Sequence, residues 1–169
     1  MSIQQRGEYV EHSSGGQRLW GPVLVLIILL PGQEAGACSC MAFPNDPDKA
    51  VAMAYAQADV VFLGDVAAIR NAFLGILRQR EVTFSVRDRW KGSIPDTTIV
   101  RTNIGEIACG YDFKKRNSYL VFAYWDQQWN HLTTSFCDLN RTEAKAKEAI
   151  AVLDRLAKRT KTSGHQGTK

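Results

Sequence analysis

Histidine is scarce in this chain: three residues in 169. His12 lies in the polar N-terminal segment and His165 in the C-terminal tail, which leaves His131 alone near a strand edge. Neither a nucleophile–base–orienter set nor a metal-ligand cluster can be assembled from such a sparse set, so an enzyme is not expected. No apolar run reaches the about 20 residues of a membrane-spanning helix. No basic stripe interleaved with aromatics is present, so nucleic acid is not an expected partner. The formal charge of +4 is concentrated in Lys114-Lys115-Arg116 and in Lys158-Arg159-Thr160-Lys161, which read as a solvated turn and a frayed tail. Cysteines number four and include no C-x-x-C pair. Zinc knuckles and thioredoxin-like redox sites therefore lack their usual spacing.

What is present begins with a leader. Residues 19–30 are apolar, with Gly21 and Pro22 near the start and an unbroken core over residues 23–30. Pro31 and Gly32 stop any helix there. The run matches the roughly 7–15 residue apolar core of a signal peptide, with Arg6 and Arg18 before it and the small-x-small triplet Ala35-Gly36-Ala37 after it. Cleavage after Ala37 is expected, giving a mature chain that starts at Cys38 and is exported. Two rival readings exist: an uncleaved N-terminal anchor, and a lipoprotein acylated on Cys38. A membrane is a partner only in those two cases.

Residues 38–169 suffice for one domain with a single core. Cys38, Cys40, Cys109 and Cys137 all lie in it. An even count in an exported chain implies two disulfides and allows three pairings. Joining Cys38 to Cys40 across one residue would be strained, which leaves two long-range pairings.

Along the mature chain, Pro44 and Pro47 interrupt residues 38–47, and residues 48–58 form a short Ala-rich helix. Residues 59–69 read as a strand that Gly64 bends or bulges. In residues 81–90, Val82, Phe84 and Val86 alternate with Thr83, Ser85 and Arg87, the period of a half-buried strand. Lys91-Gly92-Ser93 is a turn. Strands follow at 97–102, at 118–125 (nearly all apolar, with Trp125 assigned to the core) and at 131–136. Asn140 and Glu143 have N-cap and N3 spacing. They open a helix over residues 143–158 with Ala146, Ile150, Leu153 and Leu156 on one face. Residues 160–169 are expected to be a disordered basic tail. Asn140-Arg141-Thr142 also fits a glycosylation sequon. The fold class expected is mainly β: an OB-like five-stranded antiparallel β-barrel, with a short helix before the strands and a C-terminal helix.

Several residues carry a resemblance. Cys38-Ser39-Cys40 follows the cleavage site, Glu106-Ile107-Ala108-Cys109-Gly110-Tyr111 contains a Glu-x-x-Cys-Gly-Tyr pattern, Trp90-Lys91-Gly92 closes an alternating strand, and Cys137 falls between the last strand and the terminal helix. In these features and in its cysteine separations, the mature chain resembles the tissue inhibitors of metalloproteinases, within the netrin-like (NTR) group. The resemblance spans nearly the whole mature chain. It departs from the family in lacking the third disulfide of the inhibitory domain and the second domain, and in the residues Met41-Ala42-Phe43-Pro44. A single-domain chain of this kind is compatible with a bacterial origin.

The resemblance implies the pairings Cys38–Cys109 and Cys40–Cys137 and a secreted inhibitor of zinc metalloproteases. The amine and carbonyl of Cys38 would chelate the catalytic zinc of the target, Ser39 would enter its specificity pocket, and Glu106, Ile107 and Ala108 would flank the contact. The zinc belongs to the protease, so no cofactor is expected in this chain. The alternative is a non-inhibitory secreted or surface-attached NTR-like binding module. In that reading Lys114, Lys115 and Arg116, or an aromatic patch of Trp125 and Trp129, would be candidate contacts.

Overall fold

The computed structural model describes residues 38–74, 77–104 and 109–163. The leader with its cleavage site, the segment holding Glu106, Ile107 and Ala108, and residues 164–169 lie outside the described residues. Helix α1 spans Pro47–Gln57. Asp46 caps it, its carboxylate accepting the Lys49 N–H at 3.1 Å. Pro47 was expected to interrupt helix; it instead occupies the first turn, where a missing N–H costs nothing and a fixed φ helps.

Among the described residues six strands follow: β1 (Val60–Leu74), β2 (Leu77–Lys91), β3 (Thr97–Asn103), β4 (Ser118–Asp126), β5 (His131–Thr133) and β6 (Arg141–Thr142). The sheet order is β1-β2-β3-β5-β4-β6, and β1 also pairs with β4. The first five strands therefore close into a ring, as the OB-like expectation requires. All its pairings are antiparallel except β3–β5, which is parallel. β1 and β2 run beyond the expected bounds, whereas β5 stops at Thr133. β6 was not expected; it adds Arg141 and Thr142 beside Leu120 and Tyr119.

Alternation along β1 builds two cores. Val60, Phe62 and Val66 face the ring interior with Val82, Phe84, Val100, Tyr119, Val121 and Leu132. Val61 and Leu63 face outward and pack with Leu120, Phe122 and the two helices. Gly64 sits at a register shift, and a Cβ there would come within 3.1 Å of both the Phe62 ring and the Ser85 carbonyl. The expected bend is thus also a close approach between neighbouring strands.

Helix α2 spans Glu143–Ser163. Ala146, Ala149, Val152 and Leu153 form its buried face, with Ile150 and Leu156 partly buried beside them. The helix continues past the expected end at 158 and into the segment expected to be disordered. Lysine and arginine are good helix formers, and no glycine or proline interrupts the chain until Gly164. No described helix is long and apolar enough to cross a membrane.

Trp90-Lys91-Gly92 locks the end of β2 to both helices. The Trp90 indole N–H donates to Asp154 of α2 at 2.7 Å, and the Trp90 carbonyl accepts from the Tyr55 hydroxyl of α1 at 3.0 Å. The Lys91 ammonium donates to the carbonyls of Tyr55 and Ala56 at 2.8 and 2.9 Å. These are orphan acceptors at the negative end of the α1 dipole. Gly92 then turns the chain at φ +79°, where a Cβ would lie 2.7 Å from the Asp59 carbonyl oxygen. Gly92→Ala should destabilise the protein by about 1–3 kcal/mol. Urea denaturation checks this as a lowered midpoint with unchanged slope. The exposed neighbour variant Ser93→Ala should stay within about 0.5 kcal/mol of wild type.

Candidate functional site

Cys38, Ser39 and Cys40 adopt no regular structure, and Ser39, Cys40, Met41 and Ala42 are exposed. Two bridges hold them: Cys38–Cys109, with Cα atoms 5.8 Å apart, and Cys40–Cys137, at 5.2 Å. This is the pairing implied by the resemblance, and it leaves no free cysteine. The cysteines are 71 and 97 residues apart in sequence, so each bridge removes up to about 4 kcal/mol of unfolded-chain entropy.

The ring core positions Cys109. Phe113 is buried in the ring interior, edge-on to Phe84 and Tyr119, and Tyr111 packs obliquely against it at 4.5 Å between centroids. The Tyr111 N–H donates to the hydroxyl of buried Thr102 at 2.8 Å. Burial pushes the Tyr111 phenol above its ordinary pKa. Cys109 itself has φ +58°, and its carbonyl accepts the Phe136 N–H at 3.0 Å. That bond joins the two segments that receive the bridges.

A polar network positions Cys137. The Asp138 carboxylate accepts the N–H of Ser135 at 2.6 Å, and the Cys137 N–H donates to the Ser135 hydroxyl at 3.2 Å. Asn140 is buried. Its Oδ1 accepts the Phe122 N–H at 2.8 Å, and its Nδ2 donates to the Thr134 hydroxyl at 2.7 Å and the Ser135 carbonyl at 3.1 Å. The Thr134 hydroxyl in turn lies 2.7 Å from the Phe122 carbonyl. Asn140 was expected to cap α2. It instead ties this turn to β4, because the buried Phe122 N–H and the part-buried Ser135 carbonyl demand partners. The same bonds occupy the amide nitrogen that a glycan would need.

Of the residues assigned to the site, the structure brings Cys38, Ser39, Cys40, Cys109 and Cys137 together. Glu106, Ile107 and Ala108 lie outside the described residues. Two large apolar side chains at the ridge were missed: Met41, 59% exposed beside Cys40, and Phe136, 47% exposed beside Cys137. Their adjacency to cysteines was the available signal. A hollow of about 430 Å³ is lined by Gly110, Tyr111, Asp112 and Phe136 itself.

Elsewhere, Trp125 is not core as expected. It is 47% exposed at the end of β4, and Trp129 in the following turn is 48% exposed. Lys114, Lys115 and Arg116 are exposed in a turn before β4, with Lys114 paired to Asp112. His131 has Nδ1 3.4 Å from an Arg101 nitrogen, and its Nε2 is buried with no hydrogen-bond partner among the described residues. Among the described residues no group of His, Cys, Asp and Glu is arranged to hold a metal ion.

Half-burial pushes the Tyr124 phenol up to about 12, and the nearby Asp138 carboxylate adds to the shift. An unfolded tyrosine ionises near 10. The contribution of the neutral phenol is therefore complete below about pH 10 and disappears as pH rises towards 12. Folding stability measured in urea should fall across that window. Tyr124→Phe should flatten the fall, with Tyr111 supplying what remains. An equal slope in the variant would show that Tyr124 ionises like an exposed phenol.

The chain matches no protein-family model, and no curated protein matches it significantly.

Proposed function

We propose that this protein is a secreted inhibitor of zinc metalloproteases, of the kind represented by the tissue inhibitors of metalloproteinases. The observation that carries the reading is the double clamp. Cys38-Ser39-Cys40 is pinned at both cysteines to two segments that are themselves hydrogen-bonded to each other, while Ser39 stays exposed.

The chemistry follows from the backbone. A catalytic zinc keeps one coordination position open for water or substrate. Once the leader is cut after Ala37, Cys38 offers an α-amine nitrogen and a carbonyl oxygen on adjacent atoms. The pair closes a five-membered ring on the metal and displaces the water. Ser39, next in line, meets the specificity pocket beside the zinc. Met41, Phe136 and the hollow at Gly110–Tyr111 supply apolar contact at the rim, and Glu106, Ile107 and Ala108 would flank it. Because the bridges order this ridge before binding, little conformational entropy remains to be lost on association. The Cys38–Cys109 bridge also consumes the sulfur that a lipid anchor would take, which supports a free amine.

The test compares the protein beginning at Cys38 with a form carrying one added alanine before it, against a panel of zinc metalloproteases. The authentic form should inhibit at least one protease, and the added residue should weaken inhibition about a hundredfold or more, roughly 3 kcal/mol. A free α-amine has a pKa near 7.7–8.0 and coordinates only when neutral. Inhibition should therefore weaken about tenfold per pH unit below about pH 7. Equal inhibition by both forms would remove the chelation mechanism. No inhibition by either would leave the binding-module reading.

A further inference from the structure

A groove of about 480 Å³ runs along β3, between Glu81 on β2 and the β4–β5 turn. Trp125 and Ile99, about half exposed, present apolar surface to it. Arg101 donates through Nε and Nη2 to one oxygen of Glu81, at 3.0 and 2.6 Å. Both side chains are only about a quarter exposed (26% and 27%). The pair is rigid and charge-balanced, and the second Glu81 oxygen remains an acceptor. Thr97 and Asn130 add groups that both donate and accept.

The turn that carries the tryptophans is itself fixed. The Trp125 N–H donates to Asp59 at 2.8 Å, and the Asp126 carboxylate accepts the N–H groups of Gln128 and Trp129 at 3.0 and 3.1 Å. The backbone that carries the indole is therefore ordered before a ligand arrives.

Charge decides among the ligand classes. In five-stranded rings of the OB type, the face of strands 2 and 3 with the loop between strands 4 and 5 binds oligonucleotides or oligosaccharides. Nucleic acid needs unpaired cations to meet its phosphates. Among the described residues lining the groove, Arg101 is the one lysine or arginine, and it is held by Glu81. What remains is an indole beside a neutralised set of planar donors and acceptors. That combination suits a ring with an apolar C–H face and hydroxyl groups on its edge. We propose that the groove at Trp125, Ile99, Glu81 and Arg101 is a binding site for a neutral oligosaccharide, with one pyranose ring stacked on Trp125.

The experiment titrates cellotriose, xylotriose, maltotriose and tri-N-acetylchitotriose into the full mature protein. It follows indole fluorescence and the indole N–H resonance of Trp125. The form extended before Cys38 is titrated in parallel, so that failure of the inhibitor reading leaves this result untouched. At least one trisaccharide should bind at millimolar or lower concentration to both forms. Trp125→Ala should weaken it about tenfold or more, while the exposed control Phe73→Ala should not. Unfolding curves of both variants check that they fold. Three outcomes would overturn the proposal: no trisaccharide bound at millimolar concentration, unchanged affinity in Trp125→Ala, or binding of an oligothymidylate or a proline-rich peptide in place of the sugars.

Discussion

β1 is the constraint on which the rest of the structure depends. Its backbone is paired along one edge to β2 and along the other to β4, which closes the ring. Its side chains alternate between the ring interior and the layer under the helices. A one-residue slip would exchange those faces and mismatch the packing of both cores at once. Val66, where β1 leaves β4, takes the chain onward: its N–H donates to the Asn117 carbonyl at 3.0 Å, and its carbonyl accepts the Arg116 N–H at 3.3 Å. The segment after Cys109 is thereby fixed at its far end by the strand that closes the ring. Phe113 fixes its middle from within the core.

The ridge inherits that rigidity through covalent bonds. Residues 38–42 form no strand or helix, so their order derives from Cys109 and Cys137 rather than from backbone pairing. Each receiving segment is anchored by different physics. Aromatic packing holds the Cys109 side, and a buried amide–hydroxyl–carboxylate network holds the Cys137 side. Loss of either anchor would loosen one end of the tripeptide and disturb the ring as well, since Phe113 belongs to its core and Asn140 bonds the backbone of β4. Stability of the ring and presentation of the ridge are therefore coupled through Phe113 and Asn140.

Much of this was legible in the sequence. Alternation in Glu81-Val82-Thr83-Phe84-Ser85 fixed the inner face of β2, and the apolar run at 118–125 identified a strand buried on both sides. The cysteines carried the location of the ridge. Other features were hidden because tertiary partners decided them. Asn140 carries equal cap and sequon signals, and only the unpaired backbone of Phe122 and Ser135 draws it inward. Trp125 sits in an apolar run and pairs with Leu132 of β5, yet it lies past Ala123, where the pairing with β1 ends, and its indole is left half exposed. The two-residue β6 is too short to have a period, and α2 passes 158 because no breaker stands there.

The residues behind the resemblance divide by role. Trp90-Lys91-Gly92 is a structural knot, since the Trp90 indole and carbonyl and the Lys91 ammonium are all spent on helices of the same chain. Gly110-Tyr111 leads into Phe113 and serves the core. Either could be retained by a ring that inhibits nothing. The proposed inhibition rests on far less: one amine, one carbonyl and the bridge that aims them. The amine comes into existence only when the peptide bond before Cys38 is cut, so the proposed activity would be created by processing and the fold's part is to hold the new terminus still. The Trp125 groove needs no such cut, because its groups belong to ring strands and to the turns that join them. The two surfaces would then differ in when they become competent. The groove is complete on folding, whereas the ridge waits on a covalent event.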